Sequence, residues 1–234
     1  NIEKTVTICL NGHNISLASG KNIIIGSGAA VIIQGDGQQG TDGKVAGNIT
    51  AYAGTALTVE NCTVEGQLTA HGSSTVTDSL VTSTKSPAFT VNNQNAAVKL
   101  SGSLFLLTGT PSGSGVASAV KFGAADTVKM EGCTVQGPRE GIYFSGAVRE
   151  AVIDGCAIQG ANKEGISFYG LEAGNTVTVT NSLVSSEEGN AVSASWNMDK
   201  TAVITLGEGN TVSGRISLPG NTDEDYRYQF QVTG

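Results

Sequence analysis

Four short segments of this chain can be laid over one another. Val128-Lys-Met-Glu-Gly-Cys-Thr-Val-Gln-Gly137 and Val152-Ile-Asp-Gly-Cys-Ala-Ile-Gln-Gly160 both read apolar, turn residue, Cys, polar, apolar, Gln-Gly. The frame recurs in Thr58-Val-Glu-Asn-Cys-Thr-Val-Glu-Gly66 and, with Ser for Cys, in Val177-Thr-Val-Thr-Asn-Ser-Leu-Val-Ser-Ser186. Its turn position is occupied by Asn61, Asp78, Gly102, Gly132, Gly155 and Asn181, and the steps from Asp78 onward are 24, 30, 23 and 26 residues. A repeat of this length describes a stack of like units, each of which buries its apolar face only against its neighbours. A strict six-residue period is absent, and a propeller blade would need ~40 residues or more.

The residues at the turn position are those that enter the left-handed region at least cost. One such residue between two short strands bends the chain sharply without a loop. Alternation then places Val59, Met130, Ile153 and Val179 inside the strand before the bend. The small Cys or Ser follows, and Val64, Val135, Ile158 and Val184 lie inside the strand after it. A third strand precedes each pair, as in Ala88–Val91, Ala119–Phe122, Gly141–Phe144, Gly165–Phe168 and Asn190–Ser193, with Phe122, Phe144 and Phe168 in one interior column. The unit is three short strands, one tight bend and two loops of variable length. With 39% hydrophobic residues rich in Val and Ile, and no long amphipathic helical pattern, the chain reads as all-β. Gly at 32 with only 4 Pro fits many tight turns and excludes collagen.

The formal charge of −7 argues against nucleic acid, which needs a concentrated basic surface, and against a polyanionic substrate, which the field would repel. No apolar run reaches the ~18 residues of a membrane span. Asn1-Ile-Glu-Lys reads as the start of a trimmed or mature fragment, so nothing about compartment follows from it. Of the four cysteines, Cys62, Cys133 and Cys156 share the repeat position held elsewhere by Ser79, Ser103 and Ser182. Interchange of Cys and Ser points to a requirement for a small side chain, so free buried thiols are expected, although Cys133 and Cys156 should stand one strand spacing apart. No spacing suggests zinc, and no cofactor is expected.

These coils resemble the right-handed parallel β-helix of the pectin-lyase-like superfamily, with three strands per coil and Asn at the tight bend. The opening Val6-Thr-Ile-Cys-Leu-Asn-Gly-His-Asn-Ile15, followed by Ile23-Ile-Ile-Gly26 and Val31-Ile-Ile-Gln-Gly-Asp-Gly37, is similar to the first coils of such domains in bacterial surface proteins. The resemblance implies a single-stranded right-handed parallel β-helix over residues 1–219, with 220–234 as a C-terminal cap or the start of a linker. It implies little about activity, because the superfamily mixes lyases, hydrolases, esterases and non-enzymatic adhesins. The calcium-binding carboxylates of pectate lyases and the aspartates with Gly-His-Gly of polygalacturonases have no counterpart here. His13 and His71 are the only histidines, and neither neighbours an Asp cluster.

Several local patterns remain. Glu140, Glu164 and Glu188 are spaced 24 apart and are expected on successive coils, either as a solvated corner or as stacked carboxylates of the kind acid–base catalysis uses. Glu131 and Asp154 should sit side by side before the bend, as a weak cation site or as two carboxylates splaying into water. Tyr143, Tyr169 and Trp196 should align on one outer surface, where exposed rings stack on sugars; Gln136 and Gln159 are expected nearby. Asp36 and Asp42 lie in the loop from Gly35 to Gly47, which lacks the ligand alternation of an EF-hand. A second long loop spans Gly109–Gly115.

The expected function is that of a non-catalytic, extracellular or cell-surface module of a bacterial protein, structural or adhesive. Its expected partner is a neutral glycan or a host or cell-surface ligand bound by Tyr143, Tyr169 and Trp196; nucleic acid and membrane insertion are not expected. One alternative is a carbohydrate-active enzyme fragment, a glycosidase or polysaccharide lyase with Glu140, Glu164 or Glu188 as its carboxylates. Another is a receptor-binding module of the phage tail-spike type.

Overall fold

One coil shows how the sequence becomes structure. Phe89–Asn92 is followed by Ala97–Ser101, the chain bends at Gly102, and Leu104–Leu107 completes the turn of the solenoid. Each of the three strands pairs in parallel with its equivalent in the coils before and after: Phe89↔Val120, Val98↔Val128 and Phe105↔Val135. Backbone hydrogen bonds therefore run between coils, and three parallel stacks enclose one core. The chain is an all-β right-handed parallel β-helix with three strands per coil. The computed structural model describes residues 1–36, 43–109, 117–195, 197–199, 201–218 and 229–232.

The tight bend is where the repeat frame places it. Asn61, Asp78 and Asn181 have φ of 51°, 47° and 48°, and Gly102, Gly132 and Gly155 have 55°, 59° and 61°. The residue after each bend is buried, and it is more than small. Ser79 Oγ accepts the N–H of Cys62 one coil earlier at 3.3 Å, Ser103 Oγ that of Ser79 at 3.1 Å, and Ser182 Oγ that of Cys156 at 3.0 Å. Each hydroxyl in turn donates to the carbonyl two residues before it, as Ser182 does to Thr180 O at 2.7 Å. Asn210 Oδ1 takes over this role toward the N–H of Ser182 at 3.0 Å. The requirement read as size alone is thus also one for a hydrogen-bonding atom, because a buried N–H left bare is costly.

The interior columns follow the alternation. Val91, Phe122, Phe144 and Phe168 lie in one register, with ring centroids 5.1 Å apart from Phe122 to Phe144 and again from Phe144 to Phe168. All four are fully buried. Val59, Met130, Ile153 and Val179 line the first stack, and Val64, Val135, Ile158 and Val184 the second. The cysteines are free; Cys62, Cys133 and Cys156 are buried and Cys9 is exposed. Burial pushes the Cys62 thiol up to about 11, and Cys156 is raised by the hydrogen bond it shares with Cys133 and then by burial.

Two expected loops are missing. Ser118–Glu131 turns from the third stack into the first as one continuous strand, and Leu183–Ala194 does the same from the second into the third. The corner inside Ser118–Glu131 is made by a bulge: Val91 pairs with Phe122, but Asn92 pairs with Ala124, leaving Gly123 as the extra residue. Of the loop at Gly35–Gly47, residues 37–42 lie outside the described residues, as do 110–115 of the Gly109–Gly115 loop. Within 220–234, the described strand Gln229–Val232 pairs in parallel with Val203–Leu206.

Candidate functional site

The residue that follows the interior column position emerges at the far end of the third stack. Pairing of Ala51, Ala70, Val91, Phe122, Phe144 and Phe168 brings Tyr52, His71, Asn92, Gly123, Ser145 and Tyr169 onto six consecutive rungs. Glycine often comes next, and it is required there. A Cβ on Gly72 would lie 2.4 Å from Thr55 O, one on Gly146 2.0 Å from Gly123 O, and one on Gly170 2.4 Å from Ser145 O. The chain can dive back over the coil below only without a side chain at those points, and the residue before each glycine is left projecting outward.

Two adjoining depressions run along this edge. One, of about 520 Å³, is lined by Tyr52, Ala53, His71, Asn92, Asn93, Gln94 and Ala124. The other, of about 320 Å³, is lined by His71, Thr90, Asn92, Lys121, Gly123 and Ser145. His71 and Asn92 belong to both, so the two form one cleft. His71 Nδ1 donates to Asn92 O at 3.3 Å, which in the neutral ring leaves Nε2 as an acceptor. The bulge at Gly123 gives Asn92 its room, since a Cβ there would meet Asn92 Oδ1 at 2.8 Å.

Aromatic rings stand on the first and last of the six rungs. Tyr52 is 48% exposed at one end and Tyr169 44% at the other. Tyr143 faces outward as the alternation requires, but it is only 8% exposed. The ring of Tyr169 lies 6.0 Å away at a tilt of 43°, and Lys121 Nζ sits 5.9 Å from the Tyr143 centroid. Tyr143 is therefore a covered support beneath Tyr169, not the exposed platform expected of it. Trp196 lies outside the described residues. Gln136 and Gln159 are on the second stack, in register with each other, and Gln159 Nε2 donates to Glu187 Oε1 at 2.8 Å.

The glutamate column is only partly assembled. Glu140 starts its strand in register with Ser118, while Glu164 pairs with Asn190, so Asn190 and not Glu188 continues the column. The equal spacing misleads because the chain gains two residues between Phe168 and Thr176: Phe144 pairs with Phe168, but Glu150 pairs with Thr176 and Gly160 with Ser186. Glu140 is 2% exposed, with Oε2 accepting the N–H of Ala117 at 2.8 Å and Oε1 3.9 Å from Lys163 Nζ. It is neither a solvated corner residue nor free to flank a groove. Burial first, and then the charge of Glu140, raises the carboxyl of Glu164. Glu188 is exposed.

Glu131 and Asp154 pair in register at the surface, and each carboxylate is held by a protein partner. Lys129 Nζ, two residues earlier on the same face, reaches Glu131 Oε1 at 2.8 Å. Asp154 Oδ1 accepts Asn181 Nδ2 and Thr180 Oγ1, each at 2.8 Å, and these bonds hold its carboxyl below the usual range. Among the described residues no group of His, Cys, Asp or Glu has metal-binding geometry.

Tyr52, His71, Asn92 and Lys121 escape the repeat frame, which is aligned on the bend at the opposite corner of the coil. The signal that finds them is the outward residue beside or just after the interior Ala, Val or Phe of the third strand. No curated protein and no solved structure matches the chain. A family model described as a right-handed β-helix region matches residues 2–205, and with three parallel stacks, interior columns and a left-handed bend in successive coils, the chain belongs to that right-handed β-helix family.

Proposed function

We propose that the protein is a non-catalytic β-helix module, extracellular or at the cell surface of a bacterium, that holds an extended glycan along the third stack. The observation that carries this reading is the cleft from Tyr52 through His71 and Asn92 to Ser145, with the exposed ring of Tyr169 on the next rung. Five rung steps separate Tyr52 from Tyr169, about 24 Å at the spacing of neighbouring strands. Exposed tyrosines offer apolar faces to sugar rings and a hydroxyl to their polar rims. Between them the side chains are mainly neutral amides, hydroxyls and an imidazole, which suit the donors and acceptors of sugar hydroxyls. The net charge of −7 disfavours a polyanionic chain, so the backbone of the ligand is neutral.

The test is a glycan array followed by calorimetry on any ligand bound. Binding that weakens at least tenfold in Tyr169→Ala and in Tyr52→Ala, with unchanged melting curves and no release of reducing ends, is the expected result. Product release abolished by Glu164→Gln would replace this reading with an enzymatic one. Absence of binding to any glycan would leave a structural stalk.

A further inference from the structure

Four cations on the outer surface of the coils each face a carboxylate. Lys44 is 3.0 Å from Glu65, Lys129 2.8 Å from Glu131, Arg149 2.6 Å from Asp126 and Lys163 3.9 Å from Glu140. Lys121, at the middle of the cleft, faces an aromatic ring instead. It stands in register between Thr90 and Tyr143 on the outward face of the third stack. Its ammonium has no carboxylate within ion-pair distance among the described residues, and its one contact of note is the face of Tyr143. The depression it lines contains His71, Thr90, Asn92, Gly123 and Ser145, with no acidic residue.

That combination has a chemical meaning. An ammonium half-withdrawn from water against an aromatic face loses some of its hydration, and a ring offers it only a weak substitute for an anion. Around it the Thr90 and Ser145 hydroxyls and the Asn92 amide can each donate a hydrogen bond. A cation ringed by neutral donors, with no acid to compete, is a receptor for a single negative group. The rest of the cleft supplies no second lysine or arginine, so a ligand charged at every sugar would have one anion satisfied and the others opposed by the overall charge of −7.

We infer that the cleft selects a glycan whose neutral backbone carries one anionic substituent, a carboxylate or a sulfate ester, seated on Lys121 between Asn92 and Ser145. The inference rests on the glycan-binding reading above and makes it more specific. Lys121 sets the position of the charged sugar; Tyr52 and Tyr169 hold the neutral units on either side.

Matched trios of oligosaccharides decide it: one neutral, one with a single carboxylate (a uronic or sialic acid branch) and one with a single sulfate, on N-acetyllactosamine and xylo-oligosaccharide backbones. The wild-type chain should prefer one or both acidic members by roughly tenfold, the value of one charge-assisted hydrogen bond, and the preference should shrink between low and high salt. Lys121→Gln should bring acidic and neutral members to within about twofold by weakening the acidic members most, and Lys121→Arg should restore the preference. The carboxylate and sulfate arms show which anion fits. Equal affinity of wild type for neutral and acidic members overturns this inference and leaves the glycan reading intact. Failure of every member of both series to bind overturns both. A preference that survives in Lys121→Gln places the anion elsewhere and overturns the assignment to Lys121.

Discussion

The hydroxyl of Ser182 accepts the backbone N–H of Cys156, one coil earlier, at 3.0 Å, and donates its own hydrogen bond to Thr180 O at 2.7 Å. Cys156 and Ser182 are both buried. Ser182→Ala strips the Cys156 N–H of its acceptor without opening a route for water, so it should cost about 1–3 kcal/mol. Ser182→Cys keeps a weaker acceptor of nearly the same shape and should cost less. Urea denaturation of the two variants checks the order; an alanine variant as stable as wild type would show the ladder to be incidental.

At Gly155 the backbone has φ of 61°, and a Cβ added there would find its nearest neighbour, Gly132 N, at 3.8 Å. Space is not the constraint; the left-handed conformation is. Gly155→Asn should therefore be nearly neutral, while Gly155→Val should lose about 1–2 kcal/mol. Melting temperatures that coincide for the two variants would contradict this.

Phe144 is stacked between Phe122 and Phe168, both at 5.1 Å. Removing it opens a hole in the middle of the column, where coils on both sides are fixed by their strand pairing and cannot collapse inward. Phe144→Ala should cost about 3–5 kcal/mol, measurable by denaturant unfolding, whereas Phe144→Leu should cost much less.

Glu164 supplies a pH dependence with a definite sign. Its carboxyl is raised above the ordinary 4.5 by burial and then by Glu140, while Lys163 and Arg139 act in the opposite direction. The folded chain thus holds this proton more tightly than the unfolded chain. The contribution is fully present below the unfolded value and is lost as pH rises through the folded one. Glu164→Gln, which stays neutral, should gain stability relative to wild type as pH rises from about 4.5 toward neutrality. A difference in melting temperature that does not change with pH would show that Glu164 titrates as an ordinary carboxyl.

Thiol chemistry separates the four cysteines by burial. Cys9 is exposed, whereas Cys62, Cys133 and Cys156 lie in the core and Cys62 is pushed up to about 11. Native protein should react quickly with a chromogenic disulfide at Cys9 only, and at all four after unfolding. Rapid reaction of Cys62 in the native state would mean the coils open locally near the bend.

The bends and the interior columns are legible in the sequence because both rest on rules local to a few residues. Only Asn, Asp or Gly sits easily at φ near 50°, and alternation sends Phe122, Phe144 and Phe168 to the same side. The glutamate column is not legible, because equal spacing does not guarantee equal register: two residues gained between Phe168 and Thr176 shift Asn190 into the place beside Glu164. Tyr143 escapes for another reason. Alternation tells that a side chain points away from the core, but not that Tyr169 and Lys121 from neighbouring rungs will cover it. The cleft itself is contributed a few residues per coil by positions up to about a hundred residues apart, and only the pairing of strands brings them together.

Because each coil bonds only to the coil above and below it, the distance from Tyr52 to Tyr169 is counted in whole rungs of about 4.8 Å. Gaining or losing one complete coil between them would leave every interior column intact and move the two rings by one such increment. The scaffold is in this sense a graduated ruler, whose length can change by a unit without redesign of the core. The irregular mark on its scale is the bulge at Gly123, and that is where the cation sits.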